Sequence, residues 1–369
     1  MYSVSTYNLL FTFISWLLIT LYSYSQSKRL GNSKITYRSF FVITLLFGIF
    51  ACSGWDYLSY MKLYDFNYSS NTPIHLEDIY FHIIKAMPES YYLWRAIVWG
   101  SALYLLIRIF KSLRYLPALS LFVFSVMLMP IFVGARQSLA FALMLLGLVY
   151  IYKEGSTIKF NRLIIGIIII AASTIFHKSM YAYMPILVLS AIPKFRNKYF
   201  FICSLIAFPF LNLVVNWLIE VFVNIFATSE MSTESTLMYL ESDFRVELTL
   251  WGKIRNIITT LPVYLLLFAV FRDVYVRKKY LLSPLMHILF ILSYILIYIS
   301  WLLNGKEMSA FLSARFFDTS FFPLTVFAIG AFSRNYHIRI YKWCMFLFAF
   351  ATAFKLLYNV YSGGFSIIE

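Results

Sequence analysis

Two short polar connections between apolar runs carry residues suited to anion and proton chemistry. Arg136 lies in Phe132-Val-Gly-Ala-Arg-Gln-Ser138, and His177 follows about forty residues later in Ala171-Ala-Ser-Thr-Ile-Phe-His-Lys-Ser-Met180. A guanidinium can grip two phosphate oxygens at once, whereas an imidazole can take up a proton or donate to an oxyanion. Lys178 adds a further positive charge beside His177. These residues therefore predict contact with an anionic substrate.

Other cations recur at separate ends of apolar runs. Arg95 lies about six residues inside one run, or ~9 Å along a helix, which is deep for a charged side chain in a membrane. The full set is Arg95, Arg136, Lys178, Arg245, Lys253, Arg255 and Arg315. If a helical bundle gathers three of them, they form an anion site in a low-dielectric setting, and a membrane-bound diphosphate is the natural occupant.

Three carboxylates are predicted to lie near the same surface. Asp56 is one residue beyond an apolar run, Glu89 stands at the mouth of the next, and Glu220 lies near the outer end of a later one. Any of them, or His177, could deprotonate an incoming hydroxyl group. No spacing typical of a metal site accompanies them, so we predict no metal. The sequence has no glycine-rich phosphate loop either, so we predict no cofactor.

The elements that must position these residues are transmembrane helices. The 369 residues are 61% hydrophobic and 13% charged, with a mean hydropathy of +0.77, which no ordinary water-soluble core requires. We predict a single all-α transmembrane domain over residues 1–369. The net charge of +15 occurs as a few cations per short loop rather than as a basic stripe, so it indicates membrane orientation and not nucleic-acid binding.

A helix needs ~20 apolar residues to cross ~30 Å of hydrocarbon, and the apolar runs of this chain predict about twelve spans. They cover residues 6–24, 37–54, 89–109, 116–133, 136–152, 162–176, 179–192, 199–222, 253–271, 281–302, 316–333 and 341–360. Two long outer loops, 55–88 and 227–252, separate some of them. The stretch 76–88 in the first loop has the apolar spacing of a helix lying in the membrane interface.

The charges are sorted between alternate loops, which predicts the orientation of the chain. Twenty of the 31 lysines and arginines fall on one side. They are Lys28, Arg29, Lys34, Arg38, Arg108, Lys111, Arg114, Lys153, Lys159, Arg162, Lys194, Arg196, Lys198, Arg272, Arg277, Lys278, Lys279, Arg334, Arg339 and Lys342. Only Glu154 and Asp273 of the 16 acidic residues share that side. The basic side is therefore predicted to be cytoplasmic, with both termini and the anion site on the opposite side.

The three cysteines lie in or beside apolar runs. Cys52, Cys203 and Cys344 have no metal-ligand spacing. We predict that all three are buried free thiols rather than a disulfide framework.

Four short motifs follow one another in the first half of the chain: Gly54-Trp-Asp-Tyr-Leu-Ser-Tyr60, Pro88-Glu-Ser-Tyr-Tyr92, Arg136-Gln-Ser-Leu-Ala140 and Phe176-His-Lys-Ser179. Their order and spacing resemble the EpsG family of Wzy-like polysaccharide polymerases. The resemblance covers about the first half of the chain. The second half is similar in topology and in Ser313-Ala-Arg-Phe316.

This resemblance implies a GT-C-like membrane glycosyltransferase in the bacterial cytoplasmic membrane, acting on exopolysaccharide, capsule or O-antigen. It implies that repeat units carried on undecaprenyl diphosphate serve as donor and acceptor at the periplasmic face, with a chain-length regulator as a further candidate partner. We predict that Arg136, with Arg95, Arg315 and Lys178, holds the donor diphosphate. Asp56 or His177 would then remove the acceptor proton, while Glu89 and Glu220 serve as further acceptor or structural carboxylates.

Two other function classes fit the same composition. A flippase or transporter of lipid-linked sugars would use a similar cationic vestibule, although its site should lie near the bilayer midplane between repeats. A membrane acyltransferase that modifies polysaccharide would use His177 as its base. Elongation of a lipid-linked oligosaccharide by the purified protein would separate a polymerase from both.

Overall fold

The fold is known from a computed structural model. It describes residues 2–3, 6–29, 32–51, 91–129, 135–152, 159–177, 180–227, 250–278, 282–303, 310–335, 339–361 and 366–367. Most of the predicted loop 55–88 and of the loop 227–252 therefore lies outside the described residues, as does the predicted interfacial helix 76–88.

The described residues form twelve α-helices, each corresponding to one predicted apolar run. They are α1 (Thr6–Ser27), α2 (Tyr37–Phe50), α3 (Tyr91–Ser112), α4 (Pro117–Met127), α5 (Ala135–Tyr152), α6 (Phe160–Phe176), α7 (Met180–Ala191), α8 (Lys198–Ala227), α9 (Leu250–Val270), α10 (Pro284–Leu303), α11 (Ala310–Asn335) and α12 (Arg339–Tyr361). A 3₁₀ turn covers Pro193–Phe195, and a π-helical segment, Phe271–Val276, extends α9.

Six of these helices are long and apolar enough to cross a membrane: α1, α3, α9 with the π-helical segment, α10, α11 and α12. The chain is thus a multi-pass membrane protein. By contrast, α4 has 11 residues and α7 has 12, so each reaches only ~17 to 18 Å. The structure confirms the all-helical, multi-pass prediction, while the count of twelve crossings stays a prediction.

The two ends of the chain lie side by side. Tyr2 pairs with Ile367 and Ser3 with Ser366 in a two-stranded antiparallel sheet, β1 (Tyr2–Ser3) with β2 (Ser366–Ile367). Strands that exchange hydrogen bonds occupy one side of a membrane. This pairing is consistent with an even number of crossings, such as the predicted twelve.

Local sequence signals explain several helix boundaries. Thr36 accepts a hydrogen bond from the backbone N–H of Ser39, and the Ser39 hydroxyl accepts one from the backbone N–H of Thr36, which forms a capping box at the start of α2. Pro117 and Pro284 occupy first positions of α4 and α10, where a missing N–H costs nothing.

The bundle is built around α4 and α10. Every residue of α4 from Ala118 to Met127 is buried, and most of α10 is as well. Large apolar side chains on the surrounding helices are exposed instead, for example Phe11, Ile168, Ile206 and Phe346. An apolar outer surface around an apolar core is the pattern expected of a protein surrounded by lipid.

Small residues and polar contacts set the helix crossings. At Gly48 an added Cβ would lie 2.1 Å from the Trp99 ring, whose Nε1 donates to the Thr44 carbonyl at 3.1 Å. Trp16 and Thr352 similarly donate to backbone carbonyls of α4, each at 2.8 Å. Lipid provides no hydrophobic driving force for helix association, so close backbone approach and hydrogen bonds between helices stabilise the bundle instead.

Three of the predicted basic segments lie together at one end of the bundle. The Tyr37 hydroxyl donates to the Tyr115 carbonyl, and the Tyr115 hydroxyl lies 3.6 Å from the sulfur of Met286. These contacts join the start of α2, the α3–α4 turn and the start of α10, all beside predicted basic loops. We call this the basic end.

The cysteine prediction is correct at one position and wrong at another. Cys344 is a buried free thiol, but Cys203 is a free thiol exposed on α8. Since the neighbouring Ile202 is exposed as well, this surface of α8 faces outward. An apolar run does not distinguish burial in protein from exposure to lipid, which explains the error. Cys52 lies outside the described residues.

Candidate functional site

Three polar side chains from three helices meet at the end of the bundle where α5 and α7 begin. Gln137 of α5 donates through Nε2 to the hydroxyl oxygen of Thr319 on α11 at 3.0 Å. The Tyr183 hydroxyl of α7 lies 3.1 Å from the same oxygen. We call these residues the amide–hydroxyl cluster. A single hydroxyl thus fixes three helices relative to one another.

Two members of the cluster are buried, and aromatic rings pack around them. Thr319 is 1% exposed and Tyr183 is 3% exposed. The ring of Tyr183 packs edge-on against Phe141 and Phe316, with centroid distances of 5.0 and 5.4 Å, and Phe141 stacks on Phe322. Because buried polar groups are costly without partners, these satisfied hydrogen bonds specify one arrangement of the three helices.

The cluster is recessed below the end of the bundle. The Ser313 hydroxyl donates to the Ser300 carbonyl at 2.9 Å, so these residues mark one level of the antiparallel pair α10 and α11. Thr319 lies six residues further along α11, or ~9 Å deeper. Gln137 is only the third residue of α5, yet it donates a hydrogen bond to Thr319. The start of α5 therefore lies at a level between the two ends of α11.

Two predicted phosphate ligands have their backbones next to this cluster. Arg136 directly precedes Gln137 in α5, and Arg315 precedes Thr319 by one turn of α11. The bond between Gln137 and Thr319 therefore brings the two backbone positions to nearly the same level of the bundle. Their guanidinium groups lie outside what the structure describes.

His177 belongs to the same end of the protein. It ends α6 with an extended backbone, its carbonyl accepts the Met180 N–H at 3.0 Å, and its side chain is partly buried. Because α7 begins at Met180, His177 stands only six residues before Tyr183 of the amide–hydroxyl cluster. The sequence prediction that His177 and Arg136 share one end of the bundle is consistent with this placement.

Arg95 is buried in protein, not exposed to lipid. It is 3% exposed, and its Nη2 donates to the carbonyl of Ala51, the residue that ends α2, at 2.7 Å. A guanidinium at a helix C-terminus satisfies an otherwise orphaned carbonyl and interacts favourably with the helix dipole. Arg95 thus has a structural partner, and its predicted contact with phosphate stays a prediction.

The other predicted site residues are described less fully or not at all. Glu220 has its backbone within α8, without a described side chain. Asp56, Glu89 and Lys178 lie outside the described residues. Their predicted roles are not tested by the structure.

Sequence reasoning missed the members of the amide–hydroxyl cluster. Gln137 and Thr319 are separated by 182 positions, so no local pattern connects them. Two signals were present: Gln137 directly follows Arg136, and Thr319 follows Arg315 by four residues. A polar residue one position or one turn from a predicted intramembrane cation is a candidate for the same site.

The fold and the site together define a multi-pass helical membrane protein with a recessed polar site between α5, α7 and α11. The family model of EpsG matches residues 34–368, nearly the whole chain. The protein therefore belongs to the EpsG family, a family of Wzy-like polysaccharide polymerases. This confirms the sequence-based assignment and extends it beyond the first half of the chain. No match to the chain was found among curated proteins or among solved structures.

Proposed function

We propose that this protein is a GT-C-type polymerase that joins oligosaccharide repeat units carried on undecaprenyl diphosphate at the outer face of the bacterial cytoplasmic membrane. Membership of the EpsG family supports polymerase activity. The observation that carries the site assignment is the bond between Gln137 and Thr319, which brings the backbones of Arg136 and Arg315 to one recessed level.

In the proposed reaction a hydroxyl oxygen of the acceptor unit attacks the anomeric carbon of the donor. The new glycosidic C–O bond forms while the bond from that carbon to the diphosphate oxygen breaks. Undecaprenyl diphosphate leaves with the electron pair, and the hydroxyl proton passes to Asp56 or His177. The anomeric diphosphate is already activated, so the reaction needs no nucleotide cofactor and, in our proposal, no metal.

Arg136 and Arg315, with Arg95 and Lys178, would stabilise the negative charge that develops on the leaving diphosphate. Preorganised donors in a site shielded from water are worth ~3 to 4 kcal/mol each in the transition state, or two to three orders of magnitude in rate. The planar guanidinium can bind two oxygens at once, which an ammonium cannot do. Arginine at position 136 should therefore not be replaceable by lysine.

The proposed orientation places the amide–hydroxyl cluster and both termini on the periplasmic side. It is supported by the collection of basic segments at the opposite end of the bundle, since loops rich in lysine and arginine are retained in the cytoplasm. Lipid-linked repeat units would then meet the recess from the outer leaflet.

The test is the conversion of a radiolabelled lipid-linked oligosaccharide to longer chains by the purified protein in nanodiscs. We expect a ladder of products from the wild type, a loss of about 100-fold or more in Arg136→Lys, and unchanged activity in Arg114→Lys at the basic end. Wild-type rates from Arg136→Lys would refute the bidentate role. Transbilayer movement of the substrate without elongation would replace the polymerase with a flippase.

A further inference from the structure

At the basic end, a hydrogen bond to the end of α7 fixes the guanidinium of Arg196. Arg196 follows the 3₁₀ turn Pro193–Phe195, and its Nη2 donates to the carbonyl of Ala191, the last residue of α7, at 2.9 Å. Its Nε is buried and finds no acceptor among the residues that the structure describes. The side chain is thus held in place while one charged N–H still requires a partner.

A second polar pair lies beside this guanidinium. The Tyr275 hydroxyl and Nδ1 of His287 are 2.9 Å apart, and Arg196 is close enough to act electrostatically on both side chains. When the tyrosine donates to Nδ1, the neutral imidazole carries its hydrogen on Nε2 and becomes a donor there. Arg196 and His287 then each offer an N–H donor in the same part of the basic end.

The nearby carboxylate does not neutralise Arg196. Asp273 lies in the π-helical segment, is 2% exposed, and accepts a hydrogen bond from Nε of its neighbour Arg272 at 2.9 Å. Four exposed cations lie in the adjoining segments instead: Lys194 and Lys198 are two residues from Arg196, and Arg277 and Lys278 follow Tyr275 by two and three residues. The local charge among the described residues is strongly positive, so the site favours an anion.

Apolar side chains stand directly beside these cations. On α8, which starts two residues after Arg196, Tyr199 and Ile206 are 63% and 65% exposed, and Val276 of the π-helical segment is 54% exposed. A small soluble anion would make no use of such a surface. A phospholipid would, because its phosphate can meet the cations while its acyl chains lie along the exposed apolar faces.

We propose that Arg196, His287 and the surrounding cations bind the phosphate of an anionic phospholipid at the basic end. This proposal does not depend on the polymerase reaction. It does connect the two ends of the protein, because Arg196 is bonded to the last residue of α7 and Tyr183 near the start of α7 belongs to the amide–hydroxyl cluster. A lipid bound at Arg196 would stabilise the end of α7 that lies opposite the amide–hydroxyl cluster.

Native mass spectrometry of the delipidated, full-length protein tests the proposal. Phosphatidylglycerol and phosphatidylcholine are added separately, and binding is compared among the wild type, Arg196→Gln and Lys111→Gln. Lys111 is an exposed basic-end residue outside the site, so its variant controls for loss of one charge. We expect Arg196→Gln to weaken phosphatidylglycerol binding about tenfold and Lys111→Gln less than about twofold.

Three results would overturn the proposal. Equal losses in Arg196→Gln and Lys111→Gln would indicate diffuse surface charge, and equal binding of phosphatidylcholine would remove the need for an anionic lipid. Displacement of phosphatidylglycerol by inorganic phosphate at the same concentration would identify a soluble anion instead. If Arg196→Gln fails to fold, the exposed Arg277→Gln serves in its place, and it must lose more binding than Lys111→Gln for the proposal to survive.

Discussion

Replacing Thr319 with valine should damage both stability and activity, because one hydroxyl joins three helices. Valine has nearly the shape of threonine but offers nothing to the Gln137 amide or the Tyr183 hydroxyl, which lie 3.0 and 3.1 Å from that oxygen. Two hydrogen bonds of ~1 kcal/mol each are lost, and the Gln137 amide and the Tyr183 hydroxyl each lose one partner. The free energy of unfolding should therefore fall by about 2 to 4 kcal/mol. The α5 start that carries Arg136 is no longer held against α11, and a displacement of ~1 Å at a reacting centre can cost ~100-fold in rate.

The same helix supplies a matched control. Thr325 is fully buried on α11, and its hydroxyl has no hydrogen-bond partner among the described residues. Thr325→Val should therefore be neutral or slightly stabilising. Thr319→Ser, which keeps the hydroxyl, should retain most of the activity that Thr319→Val loses.

The assays are the elongation rate of a lipid-linked oligosaccharide and unfolding in detergent, both at equal amounts of folded protein. A double-mutant cycle with Tyr183→Phe should give a coupling energy of ~1 kcal/mol with Thr319→Val. The reasoning is refuted if Thr319→Val and Thr325→Val behave alike in both assays, or if the two variants at Thr319 are equally inactive.

Three further substitutions test the packing and the helix ends. Arg95→Met should lower the free energy of unfolding by ~1.5 to 3 kcal/mol, because the carbonyl that ends α2 loses a charge-assisted hydrogen bond; unchanged stability would show that the bond contributes nothing. Gly48→Ala should lower the free energy of unfolding by about 1 to 3 kcal/mol, because the added methyl group would lie 2.1 Å from the Trp99 ring. At Gly100 the nearest atom to an added methyl group is 3.3 Å away, so Gly100→Ala should cost far less. Equal losses of stability in the two variants would contradict this account of the helix crossing. Arg114→Gly should stabilise the protein by ~1 kcal/mol, because residue 114 has a φ of 56° that suits glycine, and Arg114→Ala should not; equal stability of the two variants would refute the strain argument.

The helices were the most predictable part of this protein. Hydropathy alone locates all twelve described helices, because a lipid-facing or buried helix in this fold is a predominantly apolar run. The residues at which the helices begin and end were less predictable. The run 116–133 predicts a span of 18 residues, but α4 stops at Met127, since apolar composition does not reveal where a helix ends inside a bundle.

The site was predictable only in part. The sequence identifies Arg95 as a charge deep inside an apolar run, and the structure shows that its side chain is buried in protein. Its carbonyl partner on α2 could not be inferred, because that contact depends on how two helices pack. The same holds for Thr319, whose partners lie on α5 and α7, far from it in the chain. Local patterns identify candidate residues, whereas tertiary packing decides which of them meet.

The central claim is that the diphosphate of the lipid-linked donor is held by Arg136 and Arg315 above the amide–hydroxyl cluster. A cryo-electron microscopy structure of the full chain in nanodiscs with a bound prenyl diphosphate tests it directly. We expect phosphate oxygens within ~3 Å of guanidinium nitrogens of both arginines, beside the turn of α11 that leads to Thr319. Diphosphate density in another cavity, or at the basic end, would contradict the account.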